Sequence, residues 1–225
     1  MPRTVIFANG ILPDRDSVRG LLRADDILIA ADGGTRHVLD LGRVPRLVVG
    51  DMDSLEKADW KKLEEAGVEI EMFPRDKNET DLELALDRAV EMGNREILIL
   101  GALGGRVDQT LGIISLLGGP QLSAFDLRLD DGQTEAFLVR ARSNVEGRRG
   151  DLVSLIPWGG EASGIRTEGL KWPLSNETLF AHKTRGISNE MTSDRAQIQI
   201  ENGFLLVIHI RQSRIINQNR KLETP

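Results

Sequence analysis

Two patterns in the sequence predict an α/β chain. The expected architecture is an N-terminal, mostly parallel sheet with helices on both faces (Rossmann-like), followed by a smaller C-terminal antiparallel β-sandwich. Up to Gly118-Gly119-Pro120, short aliphatic runs alternate with stretches of helical period. Beyond that point the helical period stops, and strand-like runs follow one another, split by glycine. The expected division is 1–122 for the α/β domain, 123–212 for the sandwich and 213–225 for a tail.

The aliphatic runs at 4–8, 27–31, 47–50, 68–73 and 97–100 read as buried strands, each ending near glycine or aspartate. Between the last two, Leu82, Ala85, Leu86, Ala89 and Val90 recur at i, i+3, i+4, i+7 and i+8, which puts one apolar stripe on a helix. Asn78 is the expected cap of that helix and Gly93-Asn94 its stop. Val107, Leu111, Ile114 and Leu117 mark a second helix. In the C-terminal part, 152–156 reads as a strand, and 195–201 alternates strictly, with Ala196, Ile198 and Ile200 on one face. Asn202-Gly203 then separates that run from 204–210, a pattern that predicts a β-hairpin.

Composition narrows the function classes. The 225 residues carry a net charge of −6, and an acidic chain repels nucleic acid and anionic lipid, so neither is an expected partner. The absence of cysteine excludes disulfides, thiolate metal sites and cysteine nucleophiles, and it fits a reducing cytoplasm. No apolar run approaches the roughly 20 residues that cross a bilayer, and no signal peptide is read at the N-terminus. A soluble, cytoplasmic protein is expected. Arg211, Arg214, Arg220 and Lys221, against Glu223, read as a solvated tail rather than a binding arm.

In an open parallel sheet, ligands bind beyond the carboxyl ends of the strands. Those ends here carry Asn9-Gly10, Asp32-Gly33-Gly34, Asp51-Met52-Asp53-Ser54, the segment 74–81 ending in Thr80-Asp81, and Gly104-Gly105-Arg106-Val107-Asp108-Gln109. Asp51 and Asp53 are two apart, so on an extended backbone both carboxylates point one way and can meet a hard cation such as magnesium. Asp32 and Asp81 could complete the acidic group or hold its waters, and Asp53 or Ser54 could instead cap a helix starting at Leu55. Gly33-Gly34 and Gly104-Gly105 allow close backbone approach to phosphate, although glycine pairs also serve ordinary turns. Arg106 offers a two-pronged contact to phosphate oxygens or a surface ion pair. His37, His182 and His209 are far apart in sequence and read as packing or surface residues, and Trp60 as packing. Neither a P-loop nor a G-x-G-x-x-G turn after the first strand is present.

Taken together, these segments resemble the thiamine pyrophosphokinase family. The pieces are Asp32-Gly33-Gly34, Gly50-Asp51-Met52-Asp53-Ser54, Thr80-Asp81 and Gly104-Gly105-Arg106-Val107-Asp108-Gln109, followed by Leu170-Lys171-Trp172-Pro173-Leu174 and Arg185-Gly186-Ile187-Ser188-Asn189-Glu190. The resemblance implies magnesium-dependent transfer of the terminal diphosphate of ATP to the thiamine hydroxyl, leaving AMP, by a homodimer with sites between subunits. Carried over by motif, Asp51, Asp53 and Asp81 would organise magnesium and phosphates with Asp32 beside them, while Arg106, Asp108 and Gln109 would meet the nucleotide. Trp172, Ser188 and Asn189 would line the thiamine pocket. Asp81 or Asp53 would take or orient the hydroxyl proton. Rival readings are a DxD-type or other magnesium-dependent transferase acting on another hydroxylated acceptor, such as a pterin, and a non-enzymatic nucleotide or thiamine sensor.

Overall fold

The computed structural model describes residues 2–212, so the expected tail at 213–225 lies outside the described residues. The chain divides into two compact units, one ending at Gly132 and the other starting at Gln133. This boundary falls later than the expected 122/123. The strand over Asp126–Asp130 pairs in parallel with Glu96–Leu100 and so belongs with the first unit.

The first unit contains β1 (Thr4–Phe7), α1 (Arg15–Arg19), β2 (Ile27–Ala31), α2 (Gly34–Asp40), β3 (Leu47–Gly50), α3 (Lys57–Glu65), β4 (Glu69–Met72), α4 (Asp81–Glu91), β5 (Glu96–Leu100), α5 (Val107–Leu116) and β6 (Asp126–Asp130). Its strands lie in the order β6-β5-β1-β2-β3-β4, and every adjacent pair among them is parallel. The chain therefore builds outward from β1 to β4 and then returns past β1 to place β5 on its other side. The order reverses between β1 and β5, which is where a parallel sheet opens a crevice at its carboxyl edge.

Helices cover both faces. Val5, Phe7, Leu28, Ala30 and Val48 form one buried cluster with Val18 of α1, Val38 of α2 and Leu63 of α3, and Trp60 packs against it as expected. The alternate strand residues Ile6, Ile29, Val49 and Ile99 are also buried, and alternation points them to the opposite face. There α4 packs along β1, β2 and β3, burying Leu82, Ala85, Leu86 and Ala89. Its cap is Thr80 rather than Asn78: the Thr80 hydroxyl accepts from the Glu83 N–H at 3.2 Å, while the Thr80 backbone is extended. On α5 the expected stripe is only half buried. Ile114 and Leu117 are inside, but Val107 and Leu111 are exposed.

The second unit contains β7 (Thr134–Val139), β8 (Arg142–Glu146), β9 (Leu152–Pro157), β10 (Ala162–Glu168), β11 (Ser175–Leu179), β12 (Asn189–Glu190), β13 (Arg195–Gln199) and β14 (Leu205–Ile210). Strands β12-β9-β14-β7 lie side by side, and β11-β10-β13-β8 form a second sheet, with antiparallel pairing in both. Residues of both, among them Phe137, Val153, Leu155 and Val207 from the first and Val145, Ile165, Ala196 and Ile198 from the second, share one core.

The expected hairpin across Asn202-Gly203 does not form. The alternation of β13 is as read, with Ala196, Ile198 and Ile200 buried, but β13 pairs with β8 and β10 whereas β14 pairs with β7 and β9. The segment carries the chain from one sheet to the other. Gly203 is at φ 84, but Asn202 is absent from the positive-φ residues, so the two-residue turn that needs both is not made. His209 is fully buried, with its ring nitrogens 3.4 Å from Glu135 Oε2 and 3.1 Å from Asp151 Oδ2, which fits its reading as a packing residue.

Candidate active site

The carboxyl edge of the parallel sheet gathers the predicted acidic residues in two groups. The first lies after β2 and β3. Asp32, Asp51 and Asp53 each bring a carboxylate oxygen within 4.8 Å of the others. Asp51 and Asp53 do not meet on an extended backbone. Met52, between them, is at φ 62, and the Asp53 N–H donates to Asp51 Oδ1 at 3.2 Å, so a tight turn brings the pair together. Asp32 is itself at φ 44. Its Oδ2 accepts from Ser54 Oγ at 2.7 Å, while its Oδ1 is buried without a hydrogen-bond partner among the described residues. Ser54 is thus tied to Asp32 and does not cap a helix: α3 starts at Lys57, and its cap position is Glu56.

Three carboxylates this close repel one another, and a buried anionic oxygen with no donor is costly. A hard divalent cation with oxygen ligands relieves both costs. Asp32, Asp51 and Asp53 fit such an ion.

The second group is at the start of α4. Asp81 stands apart from the three carboxylates. Its Oδ1 is buried, 2.9 Å from the ammonium of Lys77, in an ion pair rather than a well-aligned hydrogen bond. The sequence motifs do not single out Lys77. The available signal is its place four residues before Asp81, the spacing of one helical turn, in the segment that leads into the helix.

Between the groups an open cavity of about 870 Å³ is lined by Asn9, Gly10, Asp32, Asp51, Lys77, Thr80, Asp81, Gly104, Gly105, Arg106, Asp108 and Gln109. Gly104 and Gly105 are at φ 79 and 73, a conformation other residues rarely hold, and both sit in space a Cβ would not crowd. Their backbone, not their size, is what the loop requires, as in anion-binding nests. Gly33 and Gly34, expected at the phosphates, do not line the cavity. A Cβ on Gly34 would fall 2.0 Å from the Phe7 carbonyl oxygen, and one on Gly33 would meet the Asn9 side chain. Their smallness lets α2 press against β1. The neighbouring His37 Nε2 lies 2.8 Å from the Gly10 carbonyl oxygen, a contact that fixes the loop after β1 and that sequence reading missed.

Arg106 is exposed and grips Asp108 with two contacts, Nε to Oδ1 at 3.2 Å and Nη2 to Oδ2 at 2.5 Å. This hydrogen bonding holds the Asp108 carboxyl below its ordinary range and the Arg106 guanidinium above its own. Both stay charged near neutrality.

In the second unit, Asn189 joins Trp172: its Oδ1 accepts from the Trp172 N–H at 3.1 Å and its Nδ2 donates to the Trp172 carbonyl oxygen at 2.7 Å. The amide is spent on holding the Trp172 backbone. The Trp172 ring is exposed, with the Lys171 ammonium 5.0 Å above its centre. Ser188, next to Asn189, is held at φ 60, and its N–H donates to Ser154 Oγ at 3.0 Å.

Known proteins share this organisation. Residues 18–127 match the family description "Thiamin pyrophosphokinase, catalytic domain", and residues 140–205 match "Thiamin pyrophosphokinase, vitamin B1 binding domain". The thiamine pyrophosphokinase of Bacillus subtilis is 30% identical over 200 residues, which cover 88% of this chain and 92% of that protein. Thiamine pyrophosphokinase 1 of Oryza sativa is 26% identical over 210 residues, 81% of this chain and 78% of that one. Among solved structures, the Bacillus subtilis enzyme superposes with a TM-score of 0.83 at 28% identity, covering 94% of this chain and 99% of that chain. The Geobacillus thermodenitrificans enzyme superposes with a TM-score of 0.78 at 27% identity, covering 93% and 97%. By sequence and by fold, the chain belongs to the thiamine pyrophosphokinase family.

Proposed function

We propose that this chain transfers the terminal diphosphate of ATP to the hydroxyl of thiamine, giving thiamine diphosphate and AMP. The observation that carries the reading is the convergence of Asp32, Asp51 and Asp53, one with a buried unpartnered oxygen, beside a cavity that also holds the Gly104-Gly105 loop. In this reading the doubly wound, Rossmann-like unit takes the nucleotide, and the β-sandwich takes thiamine at Trp172 and Ser188, with Asn189 as their support. The relatives' names point to the acceptor. The same reading has a cytoplasmic homodimer, as the resemblance implies.

Magnesium bound by Asp32, Asp51 and Asp53 would offset charge on the polyphosphate and on the departing AMP. In the step itself, the thiamine hydroxyl oxygen bonds to the β-phosphorus. The bond from that phosphorus to the α,β-bridging oxygen breaks, and the bridging oxygen leaves with AMP. The hydroxyl proton passes to a carboxylate of the rim. Asp81, which lines the cavity where Asp53 does not, is the acceptor this reading takes. The Gly104-Gly105 backbone cradles phosphate, and alignment of the hydroxyl with the phosphorus supplies much of the acceleration.

The test is thiamine-dependent formation of AMP from ATP, with and without magnesium. AMP and thiamine diphosphate appearing together, only with metal, is the expected result. ADP in place of AMP would show single-phosphate transfer and overturn the reading. No turnover by folded protein would redirect it to other hydroxylated heterocycles and then to a sensor.

A further inference from the structure

Three cations line the cavity, and they differ in how firmly they are held. Arg75 is 86% exposed, with Asp53 at a distant 3.8 Å. Arg106 is 71% exposed, and its guanidinium fork is filled by Asp108. Lys77 is only 13% exposed. Its ammonium donates to the Pro74 carbonyl oxygen at 3.2 Å and lies 2.9 Å from the buried Asp81 Oδ1. An ammonium carries three N–H groups. Pro74 accepts from one of them, Asp81 is paired by charge without a well-aligned hydrogen bond, and no further partner is present among the described residues.

We infer that Lys77 is the fixed cation that contacts the diphosphate in transfer, an inference that rests on the transfer reading above. The side chain is already ordered and largely desolvated in the folded protein, so little reorganisation accompanies its meeting an anion. Arg106 would have to release Asp108 or bring that carboxylate's charge along with it. A compact ammonium also suits a group that moves between two oxygen atoms, because its attraction does not depend on a planar fork. Asp81 then has a second task. It holds the ammonium at the cavity wall, and Lys77 in turn offsets the Asp81 charge, which leaves Asp32, Asp51 and Asp53, with only the exposed Arg75 near Asp53, as the carboxylates for the cation.

The experiment compares wild type with Lys77→Met and Lys77→Arg by calorimetric titration with inorganic triphosphate and, separately, with AMP, magnesium present throughout. Kinetics with ATP and thiamine follow on the same proteins. Triphosphate binding should weaken at least about tenfold in Lys77→Met, the size of a lost charge-assisted hydrogen bond, while AMP binding stays as in wild type. Turnover should fall roughly 100-fold, as when one fixed donor to a transition state is removed, with the thiamine KM unchanged. Lys77→Arg should recover part of both losses. If Lys77→Met does not fold, Lys77→Gln is read instead. Equal triphosphate binding in wild type and variant, with only the melting temperature lowered, would show that Lys77 merely neutralises Asp81. No triphosphate binding by wild type would also overturn the inference. The absence of AMP formation by wild type would overturn the transfer reading alone, because the triphosphate titration still judges Lys77.

Discussion

At Asp32 the backbone holds φ 44 and the side chain keeps a buried oxygen without a donor among the described residues, two costs on one residue. A strained φ in a non-glycine residue carries about 1–3 kcal/mol, and such residues persist where the surrounding structure over-determines them. Asparagine tolerates the left-handed region as well as aspartate does and removes the buried charge. Asp32→Asn is therefore expected to raise metal-free stability by roughly 1 kcal/mol, the repulsion between unit charges about 4 Å apart in water, seen as a higher melting temperature. Turnover should drop by about 100-fold. A variant that melts lower and remains active would reverse the assignment and make Asp32 a structural residue. The sequence made part of this group legible. Two aspartates at i and i+2 after an aliphatic run pointed to one cation. The means of their meeting was not legible, because it depends on Met52 at φ 62, and no local signal marks a methionine for that conformation. Nor did the sequence tell Asp32 from Asp81 as the carboxylate that lies with the pair, since that follows from which strands are neighbours: β2 and β3 are paired, so their ends meet.

Elements were read well where one face is buried and less well at their ends. The stripe of α4 appears as expected because 3.6-residue periodicity and burial agree. Its cap was misplaced by two residues, since Asn78, Thr80 and Asp81 are all capable capping residues, and only the extended backbone at Thr80 chooses among them. Thr80→Ala should lower stability by about 1 kcal/mol, measured by denaturant unfolding. Because Thr80 also lines the cavity, its loss should loosen the adjoining Lys77–Asp81 pair and weaken triphosphate binding. An unchanged unfolding midpoint would show the hydroxyl contact to be ornamental. The hairpin was misread for a different reason. Strict alternation tells which face of β13 is buried, and either sheet of the second unit satisfies that demand, so pairing partners are not written in the alternation. Asn202-Gly203 resembles a turn, but the glycine serves a passage between sheets.

On the scale of the whole molecule, the change of grammar near residue 120 announces a passage from parallel to antiparallel pairing that comes only after Asp130. The boundary was set too early, because Asp126–Asp130 alternates like a sandwich strand while pairing in parallel with β5. The chain is acidic overall, at −6, and the cavity at the parallel sheet is lined by several carboxylates. A polyphosphate entering alone meets repulsion, and one entering with a divalent cation does not. Hydrogen exchange on the full chain resolves this by location. Magnesium with a non-hydrolysable ATP analogue should slow exchange at amides 32–35, 50–55 and 103–110, and a chelator should abolish the protection. Thiamine alone should act on 170–173 and 186–190, around Trp172 and Ser188. At a ligand concentration of about 100 Kd, the stabilisation of about 2.7 kcal/mol corresponds to roughly 100-fold slower opening-limited exchange. Equal nucleotide protection with and without metal would mean that Asp32, Asp51 and Asp53 do not form the cation site, and the phosphates would then have to be held by the backbone at Gly104-Gly105 and by Lys77. Nucleotide protection confined to 170–190 would exchange the roles of the two units and overturn the placement of the chemistry at the parallel sheet.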